Sequence, residues 1–167
     1  NLIQTLPEQT TKNQVWNFNT QKNYDGYAIP GEVQYVAQAT SYKDQGLQYN
    51  GSMLVYAKYL NNHYMLPKLR EQAGAYGGSA SFSRNGIFRM STYRDPNLKQ
   101  SYEVFANATN FMKNEKFDLE TLKPAILGSL KSYYRDKSVY GKTSTMTWLY
   151  LTDQSWSDYM KTKKEIM

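Results

Sequence analysis

The chain has 167 residues, with 20 lysines and arginines against 14 aspartates and glutamates, for a net charge of +6. It has no cysteine and one histidine, His63, which excludes disulfides, thiolate metal sites, a thiol nucleophile and any multi-histidine site within this chain. No apolar run is long enough for a transmembrane helix or a signal-peptide core, while a chain of this size can bury roughly 70% of its unfolded surface around one core.

Residues 1–28 are polar and aperiodic, with Trp16, Phe18, Tyr24 and Tyr27 spaced through them. They are expected to form a linker or an arm lying on the domain. Ile29-Pro30-Gly31 closes this stretch. From Val33 the pattern alternates: Val33, Tyr35, Ala37 and Ala39 against Gln34, Gln38 and Thr40, which predicts a strand burying the first set. Residues 52–66 read as a helix on the spacing of Met53, Ala57, Leu60 and Tyr64, to be ended or kinked by Pro67. The stretch from Lys68 to Gly78 holds Gly74, Gly77 and Gly78 and reads as a loop with unusual backbone angles.

Two strand-like runs follow, Ser79 to Arg84 and Ile87 to Tyr93, joined by Asn85-Gly86. That dipeptide predicts a tight hairpin with positive φ at both positions. Arg94-Asp95-Pro96-Asn97 reads as a turn whose Asp95 or Asn97 caps the next helix. Leu98, Tyr102, Phe105, Thr109 and Met112 mark the buried stripe of that helix. Another starts at Asp118, with Leu119, Leu122, Ile126, Leu130 and Tyr133 as its stripe and Pro124 as a kink or first-turn residue. A third helical segment is expected over about 143–164, with Met146, Leu149, Trp156 and Met160 inside. The order β-α-β-β-α-α-α predicts an α+β domain over 29–167, a mainly antiparallel sheet with helices packed on one face.

Motifs for self-contained chemistry are missing. Gly74 to Gly78 are followed by neither Lys-Ser nor Lys-Thr, and make no G-x-G-x-x-G. Ser79 and Ser81 do not form G-x-S-x-G, and His63 lacks the partners of a zinc helix. The basic residues are scattered, and the Lys161, Lys163, Lys164 cluster suits a helix end, so nucleic acid is not the expected partner. The 16 tyrosines fall mostly at strand and helix spacings and read as packing residues. Arg70 and Tyr76 stand out. Taken alone, an arginine behind a helix and a tyrosine in a glycine loop read first as a structural salt bridge and a packed ring. They also fit a donor platform, a guanidinium fork beside a phenol hydroxyl, with no base or nucleophile attached. Such a platform suits a developing oxyanion whose chemistry is supplied elsewhere.

The run Leu69-Arg70-Glu71-Gln72-Ala73-Gly74-Ala75-Tyr76-Gly77-Gly78, a hairpin, and then Ser91-Thr92-Tyr93-Arg94-Asp95-Pro96-Asn97 resembles the C-terminal domain of the pitrilysin/insulinase zinc metallopeptidases, in their presequence protease branch. The resemblance covers about 29–165, with Ser79 standing where many relatives continue with glycine. It implies a mitochondrial-processing-peptidase-like fold and one domain of a larger two-halved enzyme that closes around an unfolded peptide. Zinc is then expected in the N-terminal half of that polypeptide and no metal in this chain, which alone would be inactive. The resemblance implies Arg70 and Tyr76 as accessory catalytic and substrate-binding residues. Arg70 would hold a substrate carbonyl, Tyr76 would donate to the carbonyl or tetrahedral oxyanion, and the Gly77-Gly78 backbone would allow the peptide close. It also implies no membrane or nucleic-acid partner and a bacterial cytoplasm or organelle matrix. A catalytically silent scaffold or peptide-binding subunit of the same fold is the alternative expectation.

Overall fold

The computed structural model describes residues 24–134 and 138–167. By its internal contacts the chain divides into Asn1–Pro30 and Gly31–Met167. The arm expected over 1–28 lies outside the described residues up to residue 23, and 24–29 carry no regular secondary structure. Everything below concerns the second unit.

Among the described residues, β1 (Ala37–Ser41), β2 (Gly77–Phe82) and β3 (Ile87–Tyr93) form an antiparallel sheet in the order β1-β3-β2. Helix α1 (Ser52–Leu60) runs directly into a wide π-helical segment, Asn61–Gln72. Then follow α2 (Leu98–Asn114), α3 (Leu119–Tyr134), α4 (Val139–Leu151) and α5 (Trp156–Ile166). This is the expected α+β arrangement. Leu60, Met65, Leu69 and Phe105 are fully buried between the sheet and the helices, joined by Val36, Ala80, Met90, Val104, Ala108 and Ala125.

The strand phase around Val33 is the reverse of the expectation. Val36 is buried, while Val33, Tyr35, Ala37 and Ala39 are exposed. Register explains it: Ala37 opposes Ser91 and Gln38 opposes Met90, so even positions of β1 share the core face with Met90 and Thr92. Gly77, Ser79 and Ser81 on β2 and Arg89 and Tyr93 on β3 share the other face, which the helices leave open.

The helix expected to stop at Pro67 continues through it to Gln72. Proline offers no N–H, and its ring crowds the carbonyl four residues back; widening the turn accommodates both. Lys68 to Gln72 are therefore helix rather than loop, and Gly77-Gly78 are strand. The hairpin forms as expected but with another turn. The Ser83 carbonyl accepts from Gly86 N–H at 3.1 Å, and only Gly86 of the Asn-Gly pair has positive φ, at 102°. This is a longer loop closed by a glycine bulge.

The buried side of α2 is rotated from the expected stripe. Ser101, Val104, Phe105, Ala108 and Met112 face inward, whereas Leu98, Tyr102 and Thr109 are exposed. Small residues make the close contact, and a reading that follows bulk misses them. Likewise Leu119 is exposed and Ala125 buried in α3, which is capped at Asp118 as expected and passes through Pro124. The single segment expected over 143–164 is two helices, broken where Asp153 takes a φ of 52°. Leu149 is buried there, but Met146 and Trp156 are exposed.

Helix α5 is tied back to the start of α1. The Glu165 carboxylate accepts from Gly51 N–H at 2.8 Å, and the Arg84 guanidinium donates to Thr162 Oγ1 at 2.7 Å while lying over the Tyr49 ring. Two exposed aspartates hold helix starts. Hydrogen bonds from Thr121 hold the Asp118 carboxyl below its ordinary pKa, and those from Ser155 do the same for Asp158. A carboxyl depressed in the fold favours folding above its unfolded pKa, and that contribution is lost as pH falls through the folded value. The melting temperature is therefore expected to drop on acidification below about pH 4. Asp118→Asn and Asp158→Asn, compared by circular dichroism, should each flatten that drop.

Candidate functional site

Arg70 and Tyr76 are brought together where the π segment ends and β2 begins. Arg70 occupies the last turn of the π segment, where a cation complements the helix carbonyls. Its neighbour Leu69 is fully buried and anchors that turn. Ala75 N–H donates to the Leu69 carbonyl at 2.9 Å, which folds the chain back at once. Gly74, at φ 79°, makes that reversal possible. Tyr76 N–H then donates to the carbonyls of Tyr93 at 3.1 Å and Arg94 at 3.3 Å. The result sets the Arg70 guanidinium carbon 5.8 Å from the Tyr76 ring centroid.

The second half of the motif holds the first. Asn97 Nδ2 donates to the Ala73 carbonyl at 2.6 Å. Asp95 is fully buried; its Oδ1 accepts from Asn97 N–H at 2.8 Å and its Oδ2 from the Ser101 hydroxyl. Its backbone pairs with Gln34 in both directions at 2.9 Å. Asn97 does stand at the N-cap of α2, but its side chain makes no cap bond there. The capping role expected of Asn97 is corrected: its side chain holds the end of the π segment next to the Gly74 loop, while the Asp95 carboxylate holds the start of α2 through Asn97 N–H and the Ser101 hydroxyl. The sequence signal was the pairing of the two motif halves, which are bonded to each other.

Tyr76 is 66% exposed and Arg70 is also exposed. Among the described residues no hydrogen bond or ion pair engages the Tyr76 hydroxyl or the Arg70 guanidinium. Among the described residues the salt bridge of the alternative reading is not formed, while the Tyr76 ring does meet Tyr93 edge-on and leaves its hydroxyl end open. Gly77 and Gly78 differ. A Cβ on Gly77 would meet nothing within 4 Å, whereas one on Gly78 would lie 2.3 Å from Leu69 Cδ1. Gly78 is small because the helix that carries Arg70 packs on it, and Gly77 borders open space beside Tyr76.

Asn61 brackets Ala80 from outside the sheet, donating to its carbonyl at 2.9 Å and accepting from its N–H at 2.6 Å. Gly78, two residues earlier, turns its main-chain groups to the same outer edge. His63 is exposed and stacks on Tyr59 at 4.3 Å. Among the described residues no three His, Cys, Asp or Glu side chains cluster as a metal site. The groove between the π segment and α2, lined by Lys68, Gln72, Glu103 and Asn107, includes neither Arg70 nor Tyr76. The pair stands on an open rim, as donors facing a second surface would.

Comparison with known proteins identifies relatives of the chain. A family model described as the PreP C-terminal domain matches residues 24–167. The chain is 28% identical over 166 residues to Protein HypA of Clostridium perfringens, covering 99% of this chain and 17% of that protein. It is 32% identical over 130 residues to presequence protease 1, chloroplastic/mitochondrial, of Arabidopsis thaliana, covering 77% of this chain and 12% of that protein. It is 27% identical over 109 residues to the mitochondrial presequence protease of Mus musculus, covering 64% of this chain and 10% of that protein. The chain thus spans less than a fifth of the length of these relatives.

Proposed function

The chain belongs to the PreP C-terminal domain family, in the presequence protease branch of the pitrilysin peptidases, and is a peptidase-associated domain; from that premise we propose that it lends Arg70 and Tyr76 to peptide hydrolysis carried out with another part of a longer polypeptide. The observation that supports this is the braced, exposed and unpaired Arg70–Tyr76 couple at 5.8 Å. Among the described residues no three His, Cys, Asp or Glu side chains come together to hold a zinc ion. In this reading the hydrolytic metal belongs to the N-terminal half, and this chain contributes only donors.

The two donors have different parts. The Arg70 guanidinium offers parallel N–H groups to a backbone carbonyl of an unfolded peptide, which aligns the scissile bond without changing charge during the reaction. Tyr76 offers a single O–H to the carbonyl oxygen as it gains negative charge. Rigid placement matters because a donor that has already been ordered needs no reorganisation in the transition state. The Asn97–Ala73 and Tyr76–Tyr93 hydrogen bonds hold the backbone that carries the pair, and the edge-on Tyr93 ring lies against the Tyr76 ring.

Arg70→Gln, in the complete polypeptide, tests the first part. A hydrogen bond from a charged group contributes about 1.5–3 kcal/mol, so kcat/KM should fall roughly tenfold to 150-fold, carried mainly by KM. Unchanged kcat/KM would remove Arg70 from the proposal. If the complete polypeptide cleaves no peptide but still binds one, the scaffold reading takes the place of this one.

A further inference from the structure

We propose that Tyr93 and Tyr35, beside Tyr76, form a subsite that selects a bulky apolar side chain on a peptide residue about two positions from the bond held at Arg70 and Tyr76. The inference rests on the preceding reading and names a specificity that it lacks. The Tyr76 ring meets Tyr93 edge-on at 5.8 Å, and Tyr93 meets Tyr35 edge-on at 5.4 Å. The three rings cross the sheet from the start of β2, over the end of β3, to the lead-in of β1. All are open to solvent: Tyr35 is 54% exposed and Tyr93 48%.

These rings are placed rather than scattered. The Tyr93 and Tyr35 side chains share the open face of the sheet, because Ala37 opposes Ser91 two residues further along. Just past them the pairing slips by one residue to Gln34 opposite Asp95. Arg94 is the extra residue, held at φ 47°. A non-glycine residue in that conformation is uncommon, and a bulge of this kind re-aims the side chains around it. The bulge lets Tyr76 N–H reach two carbonyls while Tyr93 stays against the Tyr76 ring.

The chemistry of the occupant follows from the neighbours. Two ring spacings of 5.8 and 5.4 Å cover about three residues of an extended chain at roughly 3.3 Å each. A peptide carbonyl at Arg70 and Tyr76 therefore puts a side chain about two residues away over Tyr93. Tyrosine faces accept apolar and aromatic groups, and also cations. Here the Arg94 guanidinium already lies 5.9 Å from the Tyr93 ring centroid, and Arg70 flanks Tyr76 on the other side. A basic side chain would enter against both, so the subsite takes Phe, Leu or Met and discriminates against Lys and Arg.

The test uses the complete polypeptide and peptides identical except for Phe, Ala or Lys at one position about two residues from the cleaved bond. The Phe/Ala ratio of kcat/KM should fall about tenfold in Tyr35→Ala, which does not touch Tyr76, and in Tyr93→Ala. Tyr93→Phe should keep the ratio, and Arg94→Gln should improve the Lys peptide relative to Ala. An equal loss on every peptide would show that the rings only support Tyr76, and an unchanged ratio would show no contact; either overturns the subsite. Should Tyr76 itself prove dispensable for cleavage, equilibrium binding of uncleavable forms of the three peptides still decides. Loss of the Phe preference in Tyr35→Ala supports the subsite, and its retention overturns it.

Discussion

Tyr76→Phe in the complete polypeptide is expected to lower kcat/KM by about 10²–10³-fold, the loss seen when one oxyanion donor is removed. The substitution deletes one hydroxyl and keeps the ring, so the contacts to Tyr93 and Arg70 remain. The hydroxyl is not hydrogen-bonded to any described residue, so stability should change little. The fall should appear in kcat more than in KM, because the phenol is asked to bind a charge that exists only in the transition state. Steady-state kinetics on one peptide, with a melting curve for each variant, checks both halves.

Gly78→Val is expected to be the most damaging change at the site for stability. A Cβ there would lie 2.3 Å from Leu69 Cδ1 and 3.1 Å from Leu69 Cβ. Leu69 is fully buried, and its Cβ as well as its side-chain tip stands in the way. Overpacking of a well-filled core costs typically about 1–3 kcal/mol; valine at a closed position should reach about 3 kcal/mol. Chemical denaturation measures this directly. Gly77→Ala is the contrasting variant, since nothing lies within 4 Å of its added methyl. It should keep its stability and still lower kcat/KM, because the methyl stands on the open strand beside Tyr76. Equal destabilisation by the two variants would contradict this division of labour.

Gly78 also shows what a sequence can and cannot convey. Gly74, Gly77 and Gly78 were legible as a group that frees the backbone around Tyr76, yet they act through three causes. Gly74 supplies a positive φ, Gly78 admits a helix, and Gly77 leaves space. Only the fold separates them, because the contact with Leu69 depends on a helix that runs on past Pro67. The hairpin ends and the α+β order were readable from turn residues and periodicity. The faces of β1 and α2 were not. Val36 is one apolar residue among alternating ones, and Ser101 and Ala108 carry little hydrophobic signal although they face the core.

The candidate site was partly legible for a related reason. Arg70 and Tyr76 fit a donor platform by their chemistry, but taken alone they fit structural duties first; the resemblance of the two motif halves gave them their expected role. Asp95 and Asn97 were assigned to a helix cap because local rules see only the residues that follow. The Asp95 carboxylate does bond the residues that follow it, Asn97 and Ser101, whereas the Asn97 side chain finds its partner, Ala73, far back in the chain. The row from Tyr76 to Tyr35 was hidden for the same reason. Those tyrosines are distant in sequence and meet only through the register of β1 with β3.

The central claim is that this domain presents Tyr76 to the transition state of peptide hydrolysis. The most direct measurement compares wild type and Tyr76→Phe, in the complete polypeptide, for affinity toward a phosphinic peptide that mimics the tetrahedral intermediate and toward the matching uncleaved peptide. Affinity for the mimic should fall by about the same factor as kcat/KM, near 10²–10³-fold, while affinity for the peptide changes little. Equal affinities of the two proteins for the mimic would contradict the account.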